Sequence, residues 1–554
     1  MILDYNSERG AYIVTVSRTE AVDVRALMHE YGLMFSVPAS TTERAVLFTK
    51  NPYAAASFFA DATPAARDQL GWLLREVEAS WAPESLRHID VPSDCELMPF
   101  QRASADYLLR REHGLNGDEM GLGKTCTSIT IANEMQAKRI IVVCPAQVRF
   151  QWVRRIREWT TLADPFIYAV TSSKYGTSTA AEWTVISYEL ARKPAILRGL
   201  VRQKFDLLIC DEAHYLKTGA AGRTRSIFGF HDGRLDDSES DTIVTECLGA
   251  RAERILCLSG TPTPNRPAEA YVMARGLNWD CIDWMSKQSF ERRFNPIEKH
   301  EGRNGKVWVD EHKGRLPELG NRLRAHIMTR HLKRDVGYQL KNYLGDVVYD
   351  LVHIEETTAI RAALQAEALL NIDPETFQGK DKKFDGQVSV VRRQMGVAMA
   401  PGVAQYVSML LDGGEQKLVV FAWHHEVLDI LQQKLGHFGV LRVDGNMTAA
   451  RKDNTTAEFV AGSSRVLIGN LISLGTGTDG LQKVCCHGVI AEADWVPSNN
   501  LQPFGRLDRY GQELQVLADI CVAPNSIAEK VLAIALKKNL VNHKALDQRP
   551  GAAI

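Results

Sequence analysis

Two successive sets of short, β-branched apolar runs, separated by helix-like stretches, constrain this chain more than any other feature. The first set is RIIVVCP (139–145), WTVISY (183–188), FDLLICDE (205–212) and RILCLSGTP (254–262). The second is KLVVFAW (417–423), GVLRVDG (439–445), SRVLIGN (464–470) and HGVIAEAD (487–494). Strands that are apolar on both faces belong in parallel sheets covered by helices on both sides. The predicted fold is therefore α/β, with two parallel-sheet lobes in tandem. A chain of 554 residues also exceeds what one hydrophobic core organises. Ahead of the lobes, AYIVTV (11–16) and RAVLFT (44–49), each followed by a helix-like stretch, predict a small N-terminal α/β accessory domain. The expected division is 1–90 for that domain, 91–280 for the first lobe and 281–335 for a basic interlobe segment. The second lobe follows at 336–530, with a C-terminal helix and tail at 531–554.

No apolar run approaches the roughly 18 residues a membrane span needs, and the opening MILDYNSERG has neither the basic nor the apolar region of a signal peptide. The expectation is an intracellular protein with no membrane partner. The net charge of −1 rules out a long-range pull on nucleic acid from overall charge, so any such site must be a local basic groove. The best candidate is Lys287 to Arg334, with thirteen Lys and Arg against six Asp and Glu; the competing reading is a solvated charged face. Ten cysteines without a C-x-x-C pair, several of them inside apolar runs (Cys144, Cys210, Cys257), read as core residues. His424 and His425 read as structural or DNA-adjacent, and Trp152, Trp159, Trp423 and Trp495 as packing residues. The acidic HDGRLDDSESD (231–241) reads as an exposed loop.

Chemistry enters with DEMGLGKT (118–125), which opens a helix rich in Thr and Ile. Small glycines let backbone N–H groups curl around phosphate oxygens, and the helix N-terminus adds partial positive charge. In such a loop Lys124 reaches the β and γ phosphates and Thr125 holds Mg²⁺. Asp118 stands where the general phosphate-loop pattern has its first glycine. Further on, LLICDEAH places Asp211 and Glu212 at the C-terminal end of an apolar strand, the edge where open parallel sheets bind ligands. There Asp211 can help hold Mg²⁺ while Glu212 polarises an attacking water. Alone, an Asp-Glu pair at a strand end is about as often a helix cap.

DEMGLGKT, then DEAH, then SGTP (259–262) resembles the first-lobe signature of Snf-family ATPases of helicase superfamily 2, and the resemblance runs from about Leu97 to about Ala528. It implies two RecA-like lobes, ATP and Mg²⁺ as cofactors, and a monomer moving on double-stranded or forked DNA. Gln101 of LMPFQR (97–102) matches the residue that reads the adenine edge. The nucleotide-binding set becomes Gln101, Asp118, Glu119, Met120, Gly121, Leu122, Gly123, Lys124, Thr125 and Gln502, with Thr125 and Asp211 on the metal. QPFGRLDRYGQ (502–512) is similar to the family's last motif. Its Arg506 and Arg509, three residues apart and so on one helix face, are the implied arginine fingers, and they join Lys124, Asp211 and Glu212 as catalytic residues.

Gly505 and Tyr510 depart from that motif. SLGTGTDGLQ (473–482) takes the place of the motif coupling nucleotide to DNA, where Gly477, Gly480 and Leu481 fit and Thr478 and Asp479 are less typical. CPAQVRFQW (144–152), SYEL (187–190) and RHLKRDV (330–336) resemble DNA-facing and connecting motifs of the family. LMPFQR, the run 399–431 and AEADWVPSN (491–499) resemble its annealing-helicase, HARP-related branch. Two alternatives stay open: an RNA-dependent ATPase of the same superfamily, and a nucleotide-gated DNA-binding scaffold. Targeting information is expected in residues 1–90.

Overall fold

The computed structural model describes residues 1–17, 23–36, 41, 43–174, 176–229, 247–263, 266–295, 298–301, 307–310, 315–340, 345, 347–369, 382–471, 474, 480–493, 500, 503–509, 511–530, 532 and 546–547. Gln502, Tyr510, Trp495, Gly477, Thr478, Asp479 and the 231–241 loop lie outside the described residues.

The N-terminal region is an antiparallel sheet of β1 (Ile2–Asn6), β2 (Ala11–Ser17), β3 (Met34–Phe35) and β4 (Arg44–Thr49), in the order β1-β2-β4-β3. Alternation in β4 buries Ala45, Leu47 and Thr49 on one face. That face meets the Pro64–Ala79 helix through Leu70, Leu73 and Val77. The helix starts where it does because Thr63 caps the Ala66 N–H and Pro64 takes the first position.

The first lobe is a seven-stranded sheet. It contains β5 (His113–Asn116), β6 (Ile140–Cys144), β7 (Ile167–Ala169), β8 (Trp183–Ser187), β9 (Phe205–Asp211) and β10 (Ala252–Leu258). After a hairpin of β11 (Glu298–Glu301) and β12 (Val307–Asp310), β13 (Met328–Thr329) returns to complete it. The order is β13-β5-β10-β9-β6-β8-β7, every pairing parallel. All five residues of β6 and of β8 are buried; β6 is apolar throughout, and β8 buries Thr184 and Ser187 along with its apolar residues.

The second lobe repeats the design with β14 (Val348–His353), β15 (Leu418–Ala422), β16 (Val440–Val443), β17 (Val466–Asn470), β18 (His487–Ile490) and β19 (Leu517–Val522). Its parallel order is β14-β19-β18-β15-β17-β16. His424, read as structural, is tied by Nδ1 to Glu492 Oε1 at 2.7 Å.

The basic stretch from Lys287 to Arg334 differs from expectation. Among its described residues, much of the charge is spent inside the protein. In the Leu316–His326 helix every residue from Leu316 to Ala325 is buried. Glu318, fully buried, accepts from Arg293 Nε and Arg322 Nε at 2.9 and 2.8 Å. Arg322 also reaches Asp283 at 2.6 Å. Arg330 pairs with Asp547 near the C-terminus, and Lys333 with Asp508 of the second lobe. The same helix holds the N-terminal region in place: Asn321 Nδ2 donates to the Tyr53 carbonyl at 2.8 Å, and Arg322 lies 4.1 Å above the Tyr53 ring.

Candidate nucleotide site at the lobe interface

From the C-terminal end of β5 the chain turns through residues 117–123 into the Lys124–Glu134 helix. The turn needs left-handed backbone at Gly121 (φ 87°) and Gly123 (φ 78°), which only glycine adopts without cost. Both positions are also crowded. A Cβ on Gly123 would lie 2.4 Å from Gln101 Nε2, and one on Gly121 would lie 2.8 Å from the Asp508 carbonyl. Lys124 folds back over this loop, donating from Nζ to the Asp118 and Glu119 carbonyls at 2.8 and 3.1 Å. Burial pulls its pKa down against the opposing pull of Glu212, Asp118 and Asp211.

The strand β9 delivers the carboxylates. Asp211 Oδ2 accepts the Trp152 indole N–H at 2.8 Å and Oδ1 accepts the Glu212 backbone N–H at 3.0 Å. Glu212 sits in left-handed backbone (φ 49°), a strained position for a non-glycine residue and one that clusters at functional sites. Its Oε2 lies 3.3 Å from His214 Nδ1, and His214 Nδ1 in turn lies 3.3 Å from Ser259 Oγ. The DEAH and SGTP segments are thus joined through one imidazole. Burial and the neighbouring Glu212 charge push Asp211 above the usual carboxylate range. Burial pushes Glu212 the same way, but His214, Lys124 and Arg506 outweigh it and hold Glu212 well below that range. Adjacent half-buried carboxylates, one driven toward protonation, are a donor set whose repulsion a divalent cation would relieve, and Thr125 lines the same cleft.

The second lobe contributes the opposite wall. A cleft of about 1220 Å³ is lined by Gln101, Met120 to Thr125, Trp152, Asp211 and Glu212 from one side and by Gly505, Arg506 and Arg509 from the other. The two arginines do not share a helix face as their spacing predicts. Phe504–Arg506 forms a single 3-10 turn behind Pro503, and Arg509 lies beyond it with its Nε donating to the Gly505 carbonyl at 3.0 Å. Gly505, one of the two atypical residues of this motif, packs closely: an added Cβ would stand 3.3 Å from the Cβ of Met120 in the phosphate loop.

Two expected ligand-binding side chains turn away from the cleft. Asp118 is fully buried, accepting from Ser104 Oγ at 2.8 Å and from the His331 backbone N–H at 2.8 Å, with His331 Nδ1 at 2.9 Å. Burial would raise its pKa, but these His331 and Ser104 contacts prevail and lower it. Glu119 Oε2 accepts the Lys333 backbone N–H at 2.8 Å, at the start of the Lys333–Val336 turn. Both therefore brace the loop instead of facing a nucleotide. Gln101 lines the cleft with its amide already oriented: Oε1 accepts from Met98 N at 3.0 Å and Nε2 donates to the Leu122 carbonyl at 3.1 Å. Residues that sequence reasoning did not assign to the site are Trp152, His214, His331, Lys333 and Asp508. Trp152 and His214 lie within or beside quoted motifs, whereas the Lys333–Asp508 contact joins residues 175 positions apart and has no local signal.

A phosphate loop on one parallel sheet, faced by paired arginines from a second, defines a two-lobed, helicase-like nucleotide-binding protein. A family model described as the SNF2-related domain matches residues 72–359, just over half of the chain. The chain belongs to the SNF2-related family. It is 26% identical over 482 residues to the DNA annealing helicase and endonuclease ZRANB3 of Bos taurus, covering 84% of this chain and 42% of that protein. It is 28% identical over 446 residues to the SWI/SNF-related matrix-associated actin-dependent regulator of chromatin subfamily A-like protein 1 of Xenopus tropicalis, covering 79% of this chain and 44% of that protein. The chain thus spans less than half the length of these relatives. Among solved structures, the Sulfolobus solfataricus SWI2/SNF2 ATPase core in complex with dsDNA aligns at a TM-score of 0.38 with 16% identity, covering 85% of this chain and 99% of that one.

Proposed function

We propose that this chain hydrolyses ATP to move along double-stranded DNA, acting inside the cell as a monomer on duplex or forked substrates. The observation that carries the reading is the cleft itself, where Lys124, Asp211 and Glu212 of one lobe face Arg506 and Arg509 of the other. The relatives, which include a DNA annealing helicase, support DNA over RNA as the track.

In this reading Gln101 orients the adenine. The N–H groups of the 121–125 loop and the Lys124 ammonium receive the phosphates, and Glu212, ionised, accepts the proton-side hydrogen bond of the attacking water. Mg²⁺, held by Thr125 and Asp211, would supply charge neutralisation on the phosphate oxygens. Arg506 and Arg509 neutralise the charge that develops on the transferred phosphoryl group, so turnover depends on the lobes being closed. Closing and reopening, with each lobe holding the DNA backbone through loops such as 144–152 and 187–190, moves the protein along the duplex without strand separation. No described helix is long and apolar enough to cross a membrane. The functional division we propose keeps 1–90 as a targeting unit ahead of a first lobe at 91–280, whose sheet β13 at 328–329 completes, and a second lobe at 336–530.

Phosphate release measured with duplex DNA, forked DNA, single strands and RNA tests the proposal. Stimulation by duplex or fork above the others is the expected result. Stimulation by RNA alone would replace it with an RNA-dependent ATPase, and no turnover with any nucleic acid would leave a nucleotide-gated scaffold.

A further inference from the structure

The Arg149–Trp159 helix touches both sides of the cleft. On its exposed side Arg154 Nη2 lies 3.3 Å from Asp453 Oδ2, on the Ala449–Ala461 helix of the second lobe. Two residues earlier, and therefore on a different face of the helix, Trp152 points inward with 2% exposure and donates its indole N–H to Asp211 Oδ2 at 2.8 Å. The other Asp211 oxygen is held by the Glu212 N–H. The indole is thus the side-chain contact that sets the carboxylate's rotation.

We infer that Trp152 is a positioning residue through which this helix transmits the position of the second lobe to Asp211. A helix is stiff over three turns, so displacement at Arg154 is delivered at Trp152. The inference rests on the ATPase reading above and adds to it a route by which lobe closure tunes the metal-side carboxylate. A purely structural account, in which the indole merely satisfies its own N–H on burial, is separated from this one by comparison with a second buried tryptophan. Trp183, equally buried at the start of β8, has no hydrogen-bond partner for its Nε1 among the described residues, so it serves as the matched control.

The test compares Trp152→Phe with Trp183→Phe in the full chain, each losing an indole N–H and keeping a ring. Two quantities are read: the Mg²⁺ concentration that half-saturates binding of a fluorescent ADP analogue, and the ratio of phosphate release with and without duplex DNA. For Trp152→Phe the Mg²⁺ midpoint is expected to rise about tenfold, the size of one hydrogen bond to a charged group, and the DNA stimulation ratio to fall several-fold. Metal-free nucleotide affinity and melting temperature should hold, and Trp183→Phe should leave both readouts at wild type. If Trp152→Phe melts early, Trp152→Tyr, whose hydroxyl reaches a different point, is read by the same criteria. A wild-type Mg²⁺ midpoint and DNA ratio in the Trp152 variant would overturn the inference. Absence of DNA stimulation in the wild-type protein would instead overturn the motor reading, and the Mg²⁺ midpoint would still decide the role of Trp152.

Discussion

Two regions of this molecule are rich in cations and use them in opposite ways. Between Arg293 and Lys333 four of the described positive groups are matched to carboxylates: Arg293 and Arg322 to Glu318, Arg330 to Asp547, Lys333 to Asp508. In the cleft, Lys124 leans on backbone carbonyls, which soften its desolvation without cancelling its charge, and Arg506 and Arg509 line the same space. Counting charges along the chain favours the first region as a binding surface, and the partners of those charges favour the second. A cation that has a buried carboxylate is part of the architecture, whereas Lys124, held by backbone carbonyls, keeps its charge for an anionic ligand.

The largest expected effect breaks the comparison from the cleft side. Lys124→Ala and Glu212→Gln should each reduce phosphate release by about 10⁴-fold, the scale of a lost base or phosphate anchor, while duplex binding in a filter or gel assay stays near wild type. Turnover at the wild-type rate in either variant would remove the cleft from the mechanism. Next comes Arg506→Ala, expected to lower kcat about 10³-fold with little change in the affinity for a fluorescent nucleotide. An affinity loss of the same size would make Arg506 a binding residue instead of one that acts on the transition state. Third, Glu318→Ala leaves Arg293 and Arg322 without their shared carboxylate. Denaturant unfolding should show a loss of about 3 kcal/mol, the low end for breaking a buried ion pair, because Asp283 still holds Arg322. Unchanged stability would mean that these charges are not structural and would restore the basic groove as a candidate surface.

What the sequence makes legible follows the range over which each feature is determined. β6, β8 and β15 are buried along their whole length, so their composition alone announces them. β14 is mostly exposed at the edge of its sheet, and β13 is two residues long and pairs with β5 from more than two hundred positions away, so neither carries a local pattern. The phosphate loop is legible because its glycines, lysine and following helix are contiguous. The role of Asp118 is not, since its partner His331 lies 213 positions downstream. The arginine spacing of the last motif misleads about local structure because Phe504–Arg506 is a single 3-10 turn, after which Arg509 Nε returns to the Gly505 carbonyl. Both arginines still line the cleft, so the motif located the residues without describing the backbone beneath them.

The smallest expected effect extends the comparison into the second lobe. His487, at the start of β18, lies between Glu415 Oε1 at 3.0 Å and Asp519 Oδ2 at 2.7 Å, and the Tyr406 hydroxyl donates to the same Asp519 oxygen at 2.7 Å. Burial opposes a charged imidazole, but the two carboxylates prevail and raise its pKa above the ordinary histidine value. A group whose folded pKa is raised stabilises the folded protein fully below its unfolded pKa, about 6.5, and loses that contribution as pH climbs through the higher folded value. The melting temperature of the wild-type protein should therefore fall between pH 6 and pH 8 more steeply than that of His487→Gln, with the two curves converging at the alkaline end once the imidazole is neutral. Parallel curves would show that this histidine stays neutral in the folded lobe, which would separate it from the carboxylate-matched cations of the Arg293 to Lys333 region.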